Sequence, residues 1–440
     1  MTGKRKKALL DQAAREEASK ARRLALDIHG WAERPFREVK SSQALAAYLE
    51  AHGFTIDFAF RKIPTAFRAT WGRGKPSVGM LGEYDALPNC GADEGTWGHG
   101  CGHNLLGVAP AVGAVAAKKV LEATGDRGKV VYYGCPAEET LAGKVYMARD
   151  GGFRDLDACL AWHPGSGSGV NNAGGSALDS VVYEFFGKTA HGASAHGGRS
   201  ALDGVMLTDI AANYLREHVP ENVRLHSVIR SGGDAPNVVP AYAKIWYFVR
   251  GKNRKEVDDV RDRLTACANG AAQATGTTMK WSRITAIYSR LPNDTMCEAT
   301  RANLELFGPP RPSAADKKNV KKLGHEAEFD TSISKGTGSQ GRGSSDEDSV
   351  SWLAPMGRFQ VACYARGIPG HHRDLAAQSA LPFAQRAVLQ AAKIFAGTAI
   401  DLCAKPELMR KVSSEFRKRT KDFSYDPLVP KRQAIPIDPP

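Results

Sequence analysis

Residues 97–110 read WGHGCGHNLLGVAP and set Cys101 and His103 two positions apart in a glycine-rich loop. A thiolate and an imidazole are both transition-metal donors, and glycines at 100 and 102 let the backbone bend until the two side chains face one point. A single Cys-x-His pair is ordinary loop composition, and His99 beside it has no assigned role. Three other stretches add to that pair. CPAEE (135–139) ends an apolar run with adjacent carboxylates, Glu138 and Glu139. AWHP (161–164) ends a second run with His163, and GIPGHH (367–372) follows a third with His371 and His372. Cys101, His103, Glu139, His163 and His371 together form a sulfur, nitrogen and oxygen donor set. Such a set suits Zn2+ or a nearby first-row ion far better than Mg2+ or Ca2+. His372 is the alternative to His371 as ligand. With two adjacent carboxylates, one can bind metal while the other takes a proton from water.

These residues need elements that deliver them to one place. VGMLGEYDALP (78–88) reads as a buried strand meeting a loop that carries Asp85. LLGVAPAVGAVAAKKVLEA (105–123) reads as a buried helix with Pro110 early in it. GKVVYYGCPAEET (128–140) is a strand and then a loop, AGKVYMARDGGF a short helix, and LDACLAWHP (156–164) another strand. The alternation predicts an α/β fold with a helix-covered, mostly parallel sheet, in which function gathers beyond the carboxyl ends of the strands. Near residue 174 the texture changes. A strand, a helix over 200–219, a strand over 243–251, a helix over 253–276 and a closing strand predict a smaller inserted α+β domain at 176–289. The catalytic domain would then be discontinuous, over 1–175 and 290–440. The lysine-, glycine- and serine-rich stretch 310–350 reads as loop with some surface helix. The tail from 405, charged and then proline-rich, would lie over the surface.

Composition narrows the classes. The 440 residues are 42% hydrophobic and 24% charged, which are globular values for more than one domain. The basic N-terminus lacks the apolar core of a secretory signal and is spaced as an amphipathic helix, and no run has membrane-spanning length. Eight cysteines are scattered with no CxxC pair, which predicts a reducing cytoplasm. The net charge of +13 suits anionic small molecules; without a basic–aromatic module, neither nucleic acid nor a membrane is an expected partner.

GEYDALP, GHGCGHNLLG, CPAEET, AWHPG, GKTAHGASAHGGRSALD, APNVVP, YFVR, GSSDEDSVSW and ACYARGIPGHH run collinearly from about residue 78 to 378. Through this set the chain resembles the Cys-bridged amidohydrolase branch of the aminoacylase/carboxypeptidase family of dinuclear metallohydrolases. That branch includes hippurate, auxin-conjugate and aminobenzoyl-glutamate hydrolases. The resemblance implies two divalent transition-metal ions per subunit, Mn2+ or Zn2+, bridged by Cys101. It assigns His103 and Glu139 to one ion, His163 and His371 to the other, Asp85 to a supporting position behind them, and Glu138 to general-base duty. It implies that His191, in KTAHG, reaches a neighbouring subunit's site in a homodimer or higher homo-oligomer and holds the oxyanion. Asn237 and Arg250 match positions that bind polar groups of the substrate.

The activity implied is metal-dependent hydrolysis of a C–N bond, in an aromatic, carboxylate-bearing amide of the aminobenzoyl-glutamate type. One stretch departs from the family pattern. HGWAERPFREVKSS (29–42) carries Trp31, Arg34, Phe36 and Arg37, which would line an entrance for a planar acidic aromatic. Two other readings keep the scaffold. In one, the enzyme is an aromatic aminohydrolase that expels ammonia from an activated amine such as 5-nitroanthranilate. In the other, the protein binds ligands and is catalytically silent, although the ligand set and Glu138 are intact.

Overall fold

A computed structural model of the chain describes residues 1–170, 172–334, 336, 341 and 343–438. Its strands in chain order are β1 (Thr55–Phe58), β2 (Phe67–Arg73), β3 (Ser77–Glu83), β4 (Gly128–Cys135), β5 (Ala158–Gly165), β6 (Ser168–Val170), β7 (Ala177–Phe186), β8 (Arg224–Ser231), β9 (Tyr242–Gly251), β10 (Thr278–Ile287), β11 (Ile333–Ser334) and β12 (Met356–Ala362). They belong to two compact units. One takes in Met1–Ala173, 291–334 and Val350–Asp426; the other takes in Gly174–Arg290, 341–349 and 427–438.

The first unit is built on one sheet in the order β1–β2–β4–β3–β5–β12–β6–β11. Its centre, β4–β3–β5–β12, is parallel throughout, whereas β1/β2, β2/β4 and β12/β6 are antiparallel. β3 is buried along its whole length, as a parallel strand covered on both faces must be. The alanine- and valine-rich helix Val108–Thr124 lies on β3 and β4 and packs against helices Gly3–Trp31 and Pro382–Ala404. Small side chains permit that approach: a Cβ at Gly113 would meet the Phe395 Cβ at 2.7 Å. Contrary to the sequence reading, two helical stretches, His103–Thr124 and Pro382–Ala404, are long and apolar enough to cross a membrane, but both are mostly buried as core helices. Lys6 Nζ, 2.6 Å from Asp401 Oδ2, ties the N-terminal helix to Pro382–Ala404.

The second unit is a four-stranded antiparallel sheet, β10–β7–β9–β8, with helices Ala201–Leu215 and Arg254–Thr275 packed on it. Burial alternates residue by residue along β9, the period of a sheet covered on one face. Buried Asp179 gathers three arginines, Arg254 at 2.9 Å, Arg261 at 3.1 Å and Arg283 at 3.0 Å.

The α/β class holds: a mostly parallel, helix-covered sheet accompanies a smaller α+β unit. Two sequence expectations about the domains need correction. The smaller unit has a fourth strand, β8, whose burial is nearly all exposed and so lacks the alternation that marks a strand in sequence. Segments 341–349 and 427–438 join this unit instead of the catalytic one. Gly341 and Ser176 donate their N–H groups to Gly174 and Gly343 carbonyls, Arg290 pairs with Asp348 at 2.6 Å, and Arg283 donates to the Leu428 carbonyl at 2.7 Å. The tail lies over the surface as expected and begins with helix Pro406–Arg419, of which only Val412 is buried. Within 310–350 a helix forms at Ala314–Lys322, and residues 335, 337–340 and 342 lie outside the described residues.

Candidate metal centre

Because β4, β3, β5 and β12 are adjacent and parallel, their carboxyl ends open on one edge of the sheet. Glu83 and Asp85 follow from β3, Glu138 and Glu139 from β4, His163 from β5 and His371 from β12. The Cys-Gly-His loop enters the same edge and runs straight into helix His103–Leu106. Gly102 adopts φ +80°, and a Cβ there would collide with the Tyr364 hydroxyl. At Gly100 a Cβ would meet Cys90 Sγ at 2.6 Å. Only glycine fits at either position, so the loop can turn tightly enough to aim Cys101 and His103 together.

The donor atoms form two groups that share one sulfur. Cys101, His103 and His163 offer atoms within 4.8 Å of one another, and so do Cys101, Glu139 and His371. Cys101 Sγ lies 3.3 Å from His163 Nε2, and His371 Nε2 lies 3.6 Å from Glu139 Oε2. The family resemblance paired the ligands differently, His103 with Glu139 and His163 with His371. In the folded chain His103 faces His163, because helix His103–Leu106 starts beside the end of β5. The choice between the two terminal histidines is also clear. His371 joins the group around Cys101, whereas His372 caps helix Arg373–Ser379 and lies 3.2 Å from Asp374.

The donors are prepared for cations. Asp85 Oδ1 lies 2.8 Å from His103 Nδ1, and the Pro164 carbonyl lies 2.7 Å from His163 Nδ1. Each of these oxygens accepts a ring N–H, which leaves Nε2 facing the site as the atom that a cation would take in place of a proton. His103 Nε2 and Glu139 Oε1 are buried and make no hydrogen bond, although they lie only 3.7 Å apart. Burial, with the Glu139 carboxylate adding to it, pushes the Cys101 thiol well above its ordinary range. Burial also raises Glu139, to about 7, against the pull of His103. A thiol and a carboxyl buried side by side would ionise on binding positive charge between them, and divalent cations fit these residues.

Glu138 is buried at the mouth of this cluster, its Oε2 3.8 Å from His103 Nε2. His99 serves the fold instead: it is buried, its Nε2 lies 3.0 Å from the Ile28 carbonyl, and burial drives it down to about 3, hence neutral.

Comparison with known proteins agrees with this construction. The chain is 34% identical to a subunit of the p-aminobenzoyl-glutamate hydrolase of Escherichia coli, over 96% of this chain and 97% of that one. It is 30% identical to the mouse Xaa-Arg dipeptidase, over 91% and 90%. Residues 176–276 match the peptidase dimerisation domain. The fold is shared with a dinuclear metal-binding peptidase of the M20 family from Bacillus subtilis, at TM-score 0.60 and 17% identity over 89% and 99% of the two chains. It is shared too with an aminobenzoyl-glutamate utilization protein from Klebsiella pneumoniae, at TM-score 0.63 and 18% identity over 89% and 98%. The chain belongs to the M20 family of dinuclear metallohydrolases. As an M20 hydrolase it is a divalent-metal enzyme that cleaves amide C–N bonds. Neither ring deamination nor a silent scaffold is favoured by relatives named for hydrolysis.

In this M20 hydrolase the other candidate residues lie in the smaller unit. His191 caps the turn Gly192–Gly197, its Nδ1 accepting the Ala193 N–H at 3.1 Å. Asn237 is beside it, its carbonyl accepting the Gly192 N–H at 2.7 Å. Arg250 is elsewhere, near the end of β9 and opposite Arg224 of β8. Those two arginines line a recess of about 530 Å3 with Lys252, Glu221, Asn222 and Ser176. The proposed entrance aromatics behave otherwise than expected. Phe36 is buried and Trp31 packs on the core, while Arg34 stacks 5.4 Å from the Trp97 ring.

Sequence reasoning missed a buried pair at the M20 centre. Lys144 Nζ lies 2.6 Å from Glu83 Oε1, and Glu83 Oε2 is 3.5 Å from His103 Nε2. One signal was available: Lys144 is a lone charge among apolar residues in AGKVYM, and such a charge needs a partner when its helix is buried.

Proposed function

We propose that the enzyme is a homodimeric cytoplasmic amidohydrolase that releases glutamate from aminobenzoyl-glutamate-type amides, with Mn2+ or Zn2+ at its centre. The observation that carries this reading is the single sulfur of Cys101 shared by two donor groups, with Glu138 beside them. Cations held by Cys101, His103, His163, Glu139 and His371 would supply Lewis acidity to the substrate carbonyl and to a water. Glu138 takes that water's proton and returns it to the leaving nitrogen, for which a buried carboxylate within reach is suited. His191 acts in the site of a second copy, where its imidazole donates to the developing oxyanion. Asn237 assists in orienting the substrate. Arg250, in a recess lined by Arg224 and Lys252, pairs with a substrate carboxylate, as a guanidinium does with two parallel hydrogen bonds.

The substrate class draws its support from the name of the Escherichia coli relative. Eight cysteines that form no disulfide favour a reducing compartment. An exposed apolar face supports the dimer. Met206, Ile210 and Tyr214 repeat every four residues along helix Ala201–Leu215, with Leu207 alongside, and Val228 and Ile229 are exposed on edge strand β8. Asp209 of the helix accepts the Ser227 hydroxyl of that strand at 2.9 Å, so the two patches adjoin. A second copy covers such a face by symmetry.

The test is product analysis with Mn2+- or Zn2+-loaded protein. Glutamate and aminobenzoate in equal amounts are expected from p-aminobenzoyl-glutamate. Faster cleavage of an Xaa-Arg dipeptide would move the specificity to that class, and ammonia from 5-nitroanthranilate would move the bond.

A further inference from the structure

Glu38 is a fully buried acid with no part in the chemistry described so far. Its Oε1 accepts two backbone N–H groups, from Phe36 and from Ala137, both at 2.9 Å. Its Oε2 accepts the Thr65 hydroxyl at 2.8 Å, and the Thr65 carbonyl in turn accepts the Tyr84 hydroxyl at 2.6 Å. One carboxylate thus ties the loop before helix Val39–Glu50 and the loop before β2 to the CPAEE loop. Ala137, the residue it grips, has φ +57°, a left-handed conformation that an L-residue resists. On its other side the Ala137 carbonyl accepts from Thr140 Oγ1 at 3.1 Å and from the Ala142 N–H at 3.3 Å.

Glu138 therefore sits between two anchored peptide groups. The N–H before it, at Ala137, is held by Glu38; the N–H after it, at Glu139, is held by Asp85 Oδ2 at 2.9 Å. The two anchors differ in what else they touch. Asp85 also binds His103, so its loss reaches the metal ligands. The hydrogen bonds of the Glu38 side chain go to Phe36, Thr65 and Ala137, none of them a candidate metal ligand, and Asp85 acts on it only through charge.

We propose that Glu38 is a positioning residue for Glu138, fixing the left-handed turn at Ala137 that aims the base. The proposal rests on the reading of Glu138 as the general base. It assigns to Glu38 an effect on turnover that is separate from metal binding and from substrate binding. A base displaced by about an ångström loses up to roughly a hundredfold in rate.

Four full-length variants test it with metal-loaded enzyme on the best amide substrate of the wild type. Each is assayed for kcat, KM and metal per chain. Glu38→Ala should keep its metal and a KM within about threefold of wild type, and lose roughly a hundredfold in kcat. Glu38→Gln should recover most of that loss, since its amide oxygen still accepts both N–H groups while its NH2 faces the Thr65 hydroxyl. Glu38→Asp keeps the carboxyl group but is one methylene short, and should lose about tenfold in kcat. If Glu38→Ala does not fold, the Gln and Asp variants decide alone. Wild-type kcat in folded Ala or Asp variants, a loss that tracks metal content, or a Gln variant no better than Asp would each overturn the proposal. Glu138→Gln is the parallel control. If it stays active, the base reading itself fails; if it is dead while the Glu38 variants are normal, only the positioning role fails.

Discussion

Asp85 and His103 face each other across 2.8 Å, Oδ1 to Nδ1, and the same carboxylate accepts the Glu139 amide with its other oxygen. One buried acid thus orients a nitrogen ligand and an oxygen ligand together. Asp85 stays ionised there because, although burial works against its charge, His103 more than compensates and lowers its pKa. Asp85→Asn keeps the shape but turns an N–H toward one of two donors. We predict a metal affinity weaker by roughly 10- to 100-fold, as removing such supports costs elsewhere. Chelator competition measures it, and an unchanged affinity would remove the orienting role.

Glu138→Gln should leave metal content intact and lower kcat by about 100- to 10,000-fold, the range for losing a general base. Steady-state kinetics with metal analysis on the same sample reads both numbers. Full activity would remove Glu138 from the mechanism.

The proposed dimer makes its own prediction. Ile210→Asp places a charge in the exposed apolar stripe with Met206 and Tyr214, and the protein should sediment as a monomer of low activity. His191→Ala and Glu138→Gln chains, each inactive alone, should recover activity when mixed, because a heterodimer then holds one complete site. Demonstrated heterodimers without activity would place His191 elsewhere.

The sequence made the donor residues and Asp85 legible and left their other supports obscure. Cys101, His103, Glu139, His163 and His371 stood out because each is a polar residue ending an apolar run or set among glycines. The parallel core followed from strand and helix alternation. Glu38 and Lys144 did not stand out: a Glu in PFREVK and a Lys in AGKVYM look like surface charges until tertiary packing buries them. β8 escaped because an exposed edge strand has no hydrophobic period. The grouping of ligands around Cys101 differs from the one the family resemblance implied, because helix His103–Leu106 starts beside the end of β5.

Stability should depend on pH through the Lys6–Asp401 pair. Burial favours the neutral acid, but hydrogen bonding and charge from Lys6 outweigh it and hold Asp401 below its ordinary pKa. A carboxyl lowered by folding contributes its full stabilisation above its unfolded value of about 4, and loses it as pH falls through the folded value. Asp401→Ala, which leaves the buried Lys6 with Asn303 but no charge partner, should cost about 3 kcal/mol at neutral pH and less in acid. Denaturant unfolding at pH 7 and pH 3 reads this; an equal loss at both would contradict it.

The central claim is that one sulfur serves two ions. Anomalous diffraction from crystals of the Mn2+- or Zn2+-loaded enzyme tests it most directly. The account predicts two peaks flanking Cys101 Sγ, roughly 3.5–4 Å apart, one bound also by His103 and His163 and the other by Glu139 and His371. A single peak, or two peaks that leave the Cys101 sulfur unbound, would contradict it.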